Sequence, residues 1–445
     1  GSYGFAIATA IIFEILSNFG LNILLVRDVS QEKDKASSYL LNTTILRLLT
    51  SSVAVLPVLA FVLGSRFMGN PISNAELLAL LFIMVGMIFS GMSQGITGLF
   101  YVYEEAEIPA AMTTVTTVLK VGLGVTVLLM GFGFVGLAAV SIVVNIITLI
   151  ILARLAFGRF PLNGPWQIDW PLQRRMIRKG YPLMLIHFLQ TVFISVDVVL
   201  LRFIKGPEVV GWYNSAYKWF NALQIVPSFF TLALFPIISR EIKRKVESAQ
   251  RMYRLSLKLM LLLALPIATG TFFLAFFLVD VLAGDEFLPH GAIALQIVMW
   301  SIPLGWLNSV TNYVLIALEL EHMQPRAFGL AVGFNVVANL IFIPFFSYVA
   351  AATTTVLSEL VLLVVFDYYL RQKEMKVDWG GLLLRPFLLT VLMFGGLYLG
   401  GQLHLLVGLL LGLAIYLAGL FLLNIISQDE RQLLISILPQ PIQSR

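Results

Sequence analysis

The first candidates for chemistry in this sequence are the ionisable residues inside its long apolar tracts: Glu14, Arg47, Lys120, Asp197, Lys218, Lys258 and Glu359. A charged side chain at the centre of a bilayer costs roughly 2.5–3.5 kcal/mol on insertion scales, so each needs a compensating role. Arg47 and Lys258 sit about two turns into their tracts, Lys120 near mid-tract, and Lys218 about two turns from the opposite end. Ammonium and guanidinium groups are the partners a phosphate or diphosphate ligand needs. Other arrangements compete. Arg47 and Lys258 can extend to the membrane surface, and Lys218 can pair with Asp197, which stands at similar depth on the preceding tract. Glu14, near mid-membrane beside Asn18, has the chemistry of a proton or cation site, because a buried carboxylate can change charge during a cycle. A packing hydrogen bond to Asn18 is its other reading. His187 stands alone, as satisfied interior histidines do. The chain has no cysteine, and no residues have metal-ligand or nucleophile–base spacing, so no catalytic residue, metal or cofactor is expected.

The elements that position these residues follow from composition. Of 445 residues, 59% are hydrophobic and 12% charged, where soluble domains run at about a quarter charged; mean hydropathy is +0.92. The expectation is an all-α, polytopic membrane protein of about thirteen transmembrane helices. They are read at 3–26, 40–64, 76–100, 110–131, 134–157, 181–204, 212–237, 252–278, 291–317, 324–346, 348–370, 383–400 and 404–425. With the loop Arg27–Tyr39 placed in the cytoplasm, alternation leaves about 22 Lys and Arg residues inside against about 3 outside, and the C-terminus cytoplasmic. The richest inner loops hold Arg174, Arg175, Arg178 and Lys179, then Lys243, Arg244, Lys245 and Arg251. Their expected partners are anionic membrane lipids. The formal charge of +5 therefore reflects orientation, and no nucleic acid is implied.

An internal repeat organises the chain. Gly1-Ser2-Tyr3-Gly4-Phe5-Ala6 opens one helix, and about 210 residues later Gly211-Trp212-Tyr213-Asn214-Ser215-Ala216 opens another. Arg47 then Pro57 in the next helix matches Lys258 then Pro266. Both copies run the same way, a parallel repeat about an axis along the membrane normal. The expected domains are an N-terminal lobe (1–157), a basic inter-lobe loop (158–180), a C-terminal lobe (181–370) and an additional helix pair (383–425). One helix, 181–204, precedes the second motif while none precedes the first, so the first lobe is expected to lack its first helix.

Three ordered stretches carry a family resemblance. They are Ser195-Val196-Asp197-Val198-Val199-Leu200-Leu201, then Gly206-Pro207-Glu208-Val209-Val210-Gly211-Trp212-Tyr213-Asn214-Ser215-Ala216-Tyr217-Lys218, then Phe235-Pro236-Ile237-Ile238-Ser239-Arg240. The sequence resembles the polysaccharide-biosynthesis and O-antigen repeat-unit flippases of the multidrug/oligosaccharidyl-lipid/polysaccharide superfamily, from the family's second helix onward. The resemblance implies two six-helix lobes and a helix pair, and a flippase that turns a lipid-linked oligosaccharide from the inner to the outer leaflet of a bacterial or archaeal plasma membrane for cell-surface polysaccharide synthesis. It implies a cationic cavity lined by Arg47, Lys120, Lys218 and Lys258, ion coupling or gating at Glu14 and Asp197, and other polysaccharide-assembly proteins as partners. A cation-coupled multidrug extruder of the same superfamily, a membrane-embedded glycan-assembly enzyme, and a scaffold for such enzymes are the alternatives.

Overall fold

Hydrocarbon offers no hydrogen bonds to the backbone, so each apolar tract must close its own ladder as a helix. The structure, a computed structural model, describes residues 2–67, 72–162, 164–423, 425 and 430. Gly1 and the side chain of Pro57, used above in the repeat, lie outside the described residues. Among the described residues there is no strand. The chain divides into two compact units, Gly1–Gly211 and Trp212–Arg445.

The first unit contains α1 (Ser2–Asn18), α2 (Leu21–Gln31), α3 (Ala36–Phe67), α4 (Asn74–Val102), α5 (Glu107–Leu129), α6 (Gly133–Arg159) and α7 (Trp170–Lys205). Next come α8 (Pro207–Leu223), α9 (Ile225–Arg244), α10 (Val246–Ala283), α11 (His290–Val298), α12 (Ser301–Ala317), α13 (Gln324–Arg371), α14 (Trp379–Gly401) and α15 (Leu405–Leu422). Ten tracts among the described residues are long and apolar enough to cross a membrane. One of them, Glu321–Arg371, is divided at Ser347, whose φ of 54° leaves the helical region. With that one divided, they correspond to eleven of the thirteen tracts read from the sequence, and α1–α2 and α3 occupy the other two.

Three expected helices are interrupted. The 3–26 tract breaks between α1 and α2, 212–237 breaks at Gln224, and 291–317 breaks at Met299 and Trp300. The first break has a packing cause. Phe19 and Gly20 take φ of 48° and 69°, and the bend meets α7 closely. A Cβ added at Gly180 would lie 2.5 Å from the Phe19 carbonyl oxygen, and one at Gly20 would lie 2.9 Å from Leu183 Cβ. The break therefore requires glycine on both sides of the contact.

The basic segment 158–180 is helical over its second part, because α7 begins at Trp170, capped by the Asp169 carboxylate, which accepts from the Leu172 amide at 2.9 Å. Leu172 and Met176 then bury themselves with Leu24, Leu25, Leu152 and Ala156 in one apolar cluster. The helix continues so that this face stays covered. Thus α7, which the repeat assigns to the second lobe, packs along α1 in the first unit.

Gly180→Val should cost about 1–3 kcal/mol, the usual penalty for forcing a side chain into a filled contact. Gly270→Ala, where an added Cβ meets open space, should leave stability unchanged. Thermal unfolding of the purified protein in detergent checks both; equal midpoints for the two variants would remove the close approach as the reason for the break.

Candidate functional site

Arg47 is 2% exposed, so its guanidinium needs acceptors inside the protein. It finds them on α4 and α2, donating to the Gly91 carbonyl and to Asn22 Oδ1. It fits because α4 carries Gly91 and Gly95 one turn apart. A Cβ built on Gly95 would lie 2.5 Å from an Arg47 guanidinium nitrogen, so this small-residue pair forms the groove in which the arginine lies.

From Arg47 the hydrogen bonds continue in one direction. Asn22 donates through Nδ2 to Gln94 Oε1 at 2.8 Å, Asn18 Nδ2 donates to the same oxygen at 2.6 Å, and Gln94 Nε2 donates to Glu14 Oε1 at 2.9 Å. Asn22 and Gln94 each accept from the cation side and donate toward the carboxylate, while Asn18 only donates into Gln94. Such a chain is polarised end to end, and each bond strengthens the next. Asn18 ends α1 and Asn22 lies in α2, so the network ties together the two segments on either side of the break. Arg47 Nε and Asn18 Oδ1 are buried without a partner among the described residues.

Gln94 also lines a cavity of about 230 Å³ between α4, α5 and α6. Its polar lining is Ser90, Ser93, Gln94, Thr97, Tyr101, Thr113, Thr116, Asn145, Thr148 and Lys120. Lys120 is the one charged residue among the lining residues. Ser93, Thr113, Thr116 and Thr148 donate to carbonyls one turn back, to Phe89, Pro109, Met112 and Val144. Their oxygens keep lone pairs as acceptors. The cavity thus offers acceptors for hydroxyl groups and one ammonium for an anion.

The remaining predicted residues lie elsewhere. Asp197 is 1% exposed in α7, with Oδ1 accepting from the Val198 amide at 2.8 Å. Lys218 is exposed on α8. Lys258 on α10 is ion-paired, at 2.7 Å to Glu430 Oε1, and donates to the Ile425 carbonyl at 2.9 Å. Glu359 accepts from Asn308 Nδ2 at 2.6 Å, and His187 is exposed.

Sequence reasoning missed a buried ion pair in the first unit. Arg202 of α7 and Glu76 of α4 are 3% and 2% exposed and meet through two hydrogen bonds, of 2.9 and 2.5 Å. Glu76 also closes the capping box that starts α4, accepting from the Ser73 amide at 2.9 Å. The Ser73-x-x-Glu76 spacing signals that cap, although not the arginine. Asn18, Asn22 and Gln94 were missed as partners of Arg47 because single amides in apolar tracts carry no distinctive spacing.

A multi-pass helical membrane protein with a broken helix beside a partly buried polar network is built as secondary transporters are. The chain belongs to the family of polysaccharide biosynthesis proteins, whose family model matches residues 1–242; the MatE family model matches 182–341. Among solved structures it is similar to the lipid II flippase MurJ in an inward closed conformation, with 13% identity over 97% of this chain and 98% of that one and a TM-score of 0.69. An inward-facing multidrug resistance MATE family transporter of the MOP superfamily is similar at 16% identity over 84% and 89%, TM-score 0.69. A MOP superfamily transporter from Pyrococcus furiosus is similar at 14% identity over 84% and 87%, TM-score 0.56. Among curated proteins, none matches this sequence. The fold is therefore that of the flippases and transporters of the MOP superfamily.

Two substitutions test the geometry of the first unit. Glu76→Gln removes the carboxylate charge that Arg202 meets and should cost about 3–5 kcal/mol, read as a lowered unfolding midpoint. Gly95→Ala should displace the guanidinium and cost about 1–3 kcal/mol, while Gly122→Ala, facing open space, should cost nothing. Equal stability of the Gly95 and Gly122 variants would contradict the placement of Arg47.

Proposed function

We propose that this protein is a flippase that moves a lipid-linked oligosaccharide, carried on a polyprenyl diphosphate, from the inner to the outer leaflet of the plasma membrane by alternating access. The observation that carries the reading is the cavity lined by Lys120. Hydroxyl and amide groups surround one ammonium with no carboxylate among the lining residues, which suits sugars joined to phosphate. Membership in the polysaccharide biosynthesis family supports the same substrate class. A diphosphate with about two uncompensated charges moving outward gains roughly 4–5 kcal/mol per 100 mV of inside-negative potential, which supplies a driving force. Ion coupling at Glu14 and Asp197 would offer a second. Other polysaccharide-assembly proteins would supply the substrate and take up the product.

A cation-coupled multidrug extruder is the second reading. The MatE match over residues 182–341 and the half-buried Glu359, held by Asn308, favour it. Such a carrier needs carboxylates for organic cations, which the Lys120 cavity does not offer.

The two readings separate in vesicles reconstituted with the full chain and loaded with either a fluorescent lipid-linked oligosaccharide or a cationic dye. The flippase reading expects oligosaccharide flipping and a fall of roughly 10- to 100-fold in Lys120→Ala, the scale of one charge-assisted hydrogen bond. Dye export with no lipid flipping, or flipping unchanged by Lys120→Ala at equal folded protein, would overturn it.

A further inference from the structure

A second polar pocket lies in the unit Trp212–Arg445, at the ends of α10 and α14 expected to face the cytoplasm. It has a volume of about 360 Å³ and places Arg251, Arg254 and Lys258 of α10 opposite Asp378 and Gly381 at the start of α14. The spacing of three then four residues puts the cations on one face over two turns. Lys258 is engaged by Glu430, at 2.7 and 2.8 Å, and by the Ile425 carbonyl. Asp378 is engaged as the cap of α14, its Oδ1 accepting from the Gly381 amide at 3.2 Å. Arg251 and Arg254 have no hydrogen-bond or ion-pair partner among the described residues. Leu255, Val377 and Leu382 complete the lining, and Trp379 follows at the first residue of α14, the kind of residue that anchors a helix at a membrane interface.

Two unengaged guanidinium groups, a neutralised lysine–glutamate pair, a helix start and an apolar edge therefore meet where α10 passes from polar first turns into its apolar tract. We infer that this pocket binds a phosphate group, and that its occupant is the headgroup of an anionic phospholipid, with the phosphate on Arg251 and Arg254 and the glycerol end on Leu255, Val377 and Leu382. Basic pockets between helices at the membrane surface hold such headgroups. Glu430 acts as a built-in competitor, since its carboxylate occupies the third cation that a phosphate would use. The inference does not rest on the transported substrate, because Lys120 and its cavity lie in the other unit.

The test uses the full chain in phosphatidylcholine nanodiscs doped with phosphatidylglycerol, with retained lipid counted by native mass spectrometry after release. The expected result is retention of phosphatidylglycerol over phosphatidylcholine. In the double variant Arg251→Gln/Arg254→Gln retention should fall roughly ten- to thirtyfold, the effect of two arginines at a membrane surface. Lys33→Gln/Lys35→Gln, the same charge loss in the loop after α2, should leave it intact, and Glu430→Gln should raise it by freeing Lys258. Unfolding midpoints confirm that each variant is folded. A second arm adds inorganic diphosphate to detergent-solubilised protein: stabilisation lost in the Arg251/Arg254 variant, without any preference among lipids, would keep the phosphate site but overturn the lipid as its occupant. Equal phosphatidylglycerol retention by wild type and the Arg251/Arg254 variant, or equal losses in the Lys33/Lys35 variant, would overturn the site itself.

Discussion

A guanidinium in a bilayer-spanning helix must be given acceptors by its own protein, and much of the first unit is arranged to meet that need for Arg47. The acceptors available in an apolar bundle are carbonyls and amides, and each amide that accepts must also donate onward. That requirement produces the sequence Arg47, Asn22, Gln94, Glu14, in which a carboxylate terminates what a cation begins. The glycines of α4 follow from it as well, since any side chain at Gly95 would take the space of the guanidinium. Because Asn18 and Asn22 straddle the break at Phe19–Gly20 and both donate to Gln94, the network spans the bend.

Gln94 is where the two polar features of the unit meet. One side of its amide belongs to the donor chain, and its side chain also lines the cavity that holds Lys120. A ligand in that cavity would therefore sit beside the group that holds Glu14, and a change of charge at Glu14 would be felt one amide away from the ligand. This is a short-range electrostatic connection. In the second unit the basic residues are used differently: Lys258, the repeat counterpart of Arg47, is neutralised by Glu430. The sequence repeat is symmetric, but the electrostatics built on it are not.

Much of the fold was legible in the sequence because lipid imposes one rule on every tract: an apolar stretch of about 20 residues has to be a helix. What the rule does not determine is where a helix bends. Phe19–Gly20 breaks because α7 approaches from about 160 residues away in sequence, a tertiary fact with no local periodicity. Charged residues at depth were equally legible, since Arg47, Lys120 and Glu14 stand out against apolar neighbours. Their partners were not, because Asn18, Asn22 and Gln94 gain meaning only when α1, α2 and α4 are packed. The lining of the Lys120 cavity could have been found: Ser90, Ser93, Gln94 and Thr97 on α4, and Thr113, Thr116 and Lys120 on α5, recur at helical spacing. Arg202 and Glu76 were hidden by lying at tract ends, where charge is ordinary.

The central claim, that Arg47 and Glu14 form one electrostatic unit through Asn22 and Gln94, is tested most directly by a double-mutant cycle on stability. Arg47→Met, Glu14→Gln and the pair are compared by equilibrium unfolding in one detergent. A network of this kind predicts that the two losses fail to add, with an interaction energy of about 0.5–3 kcal/mol. Additivity within about 0.3–0.5 kcal/mol, the behaviour of independent sites, would contradict the account.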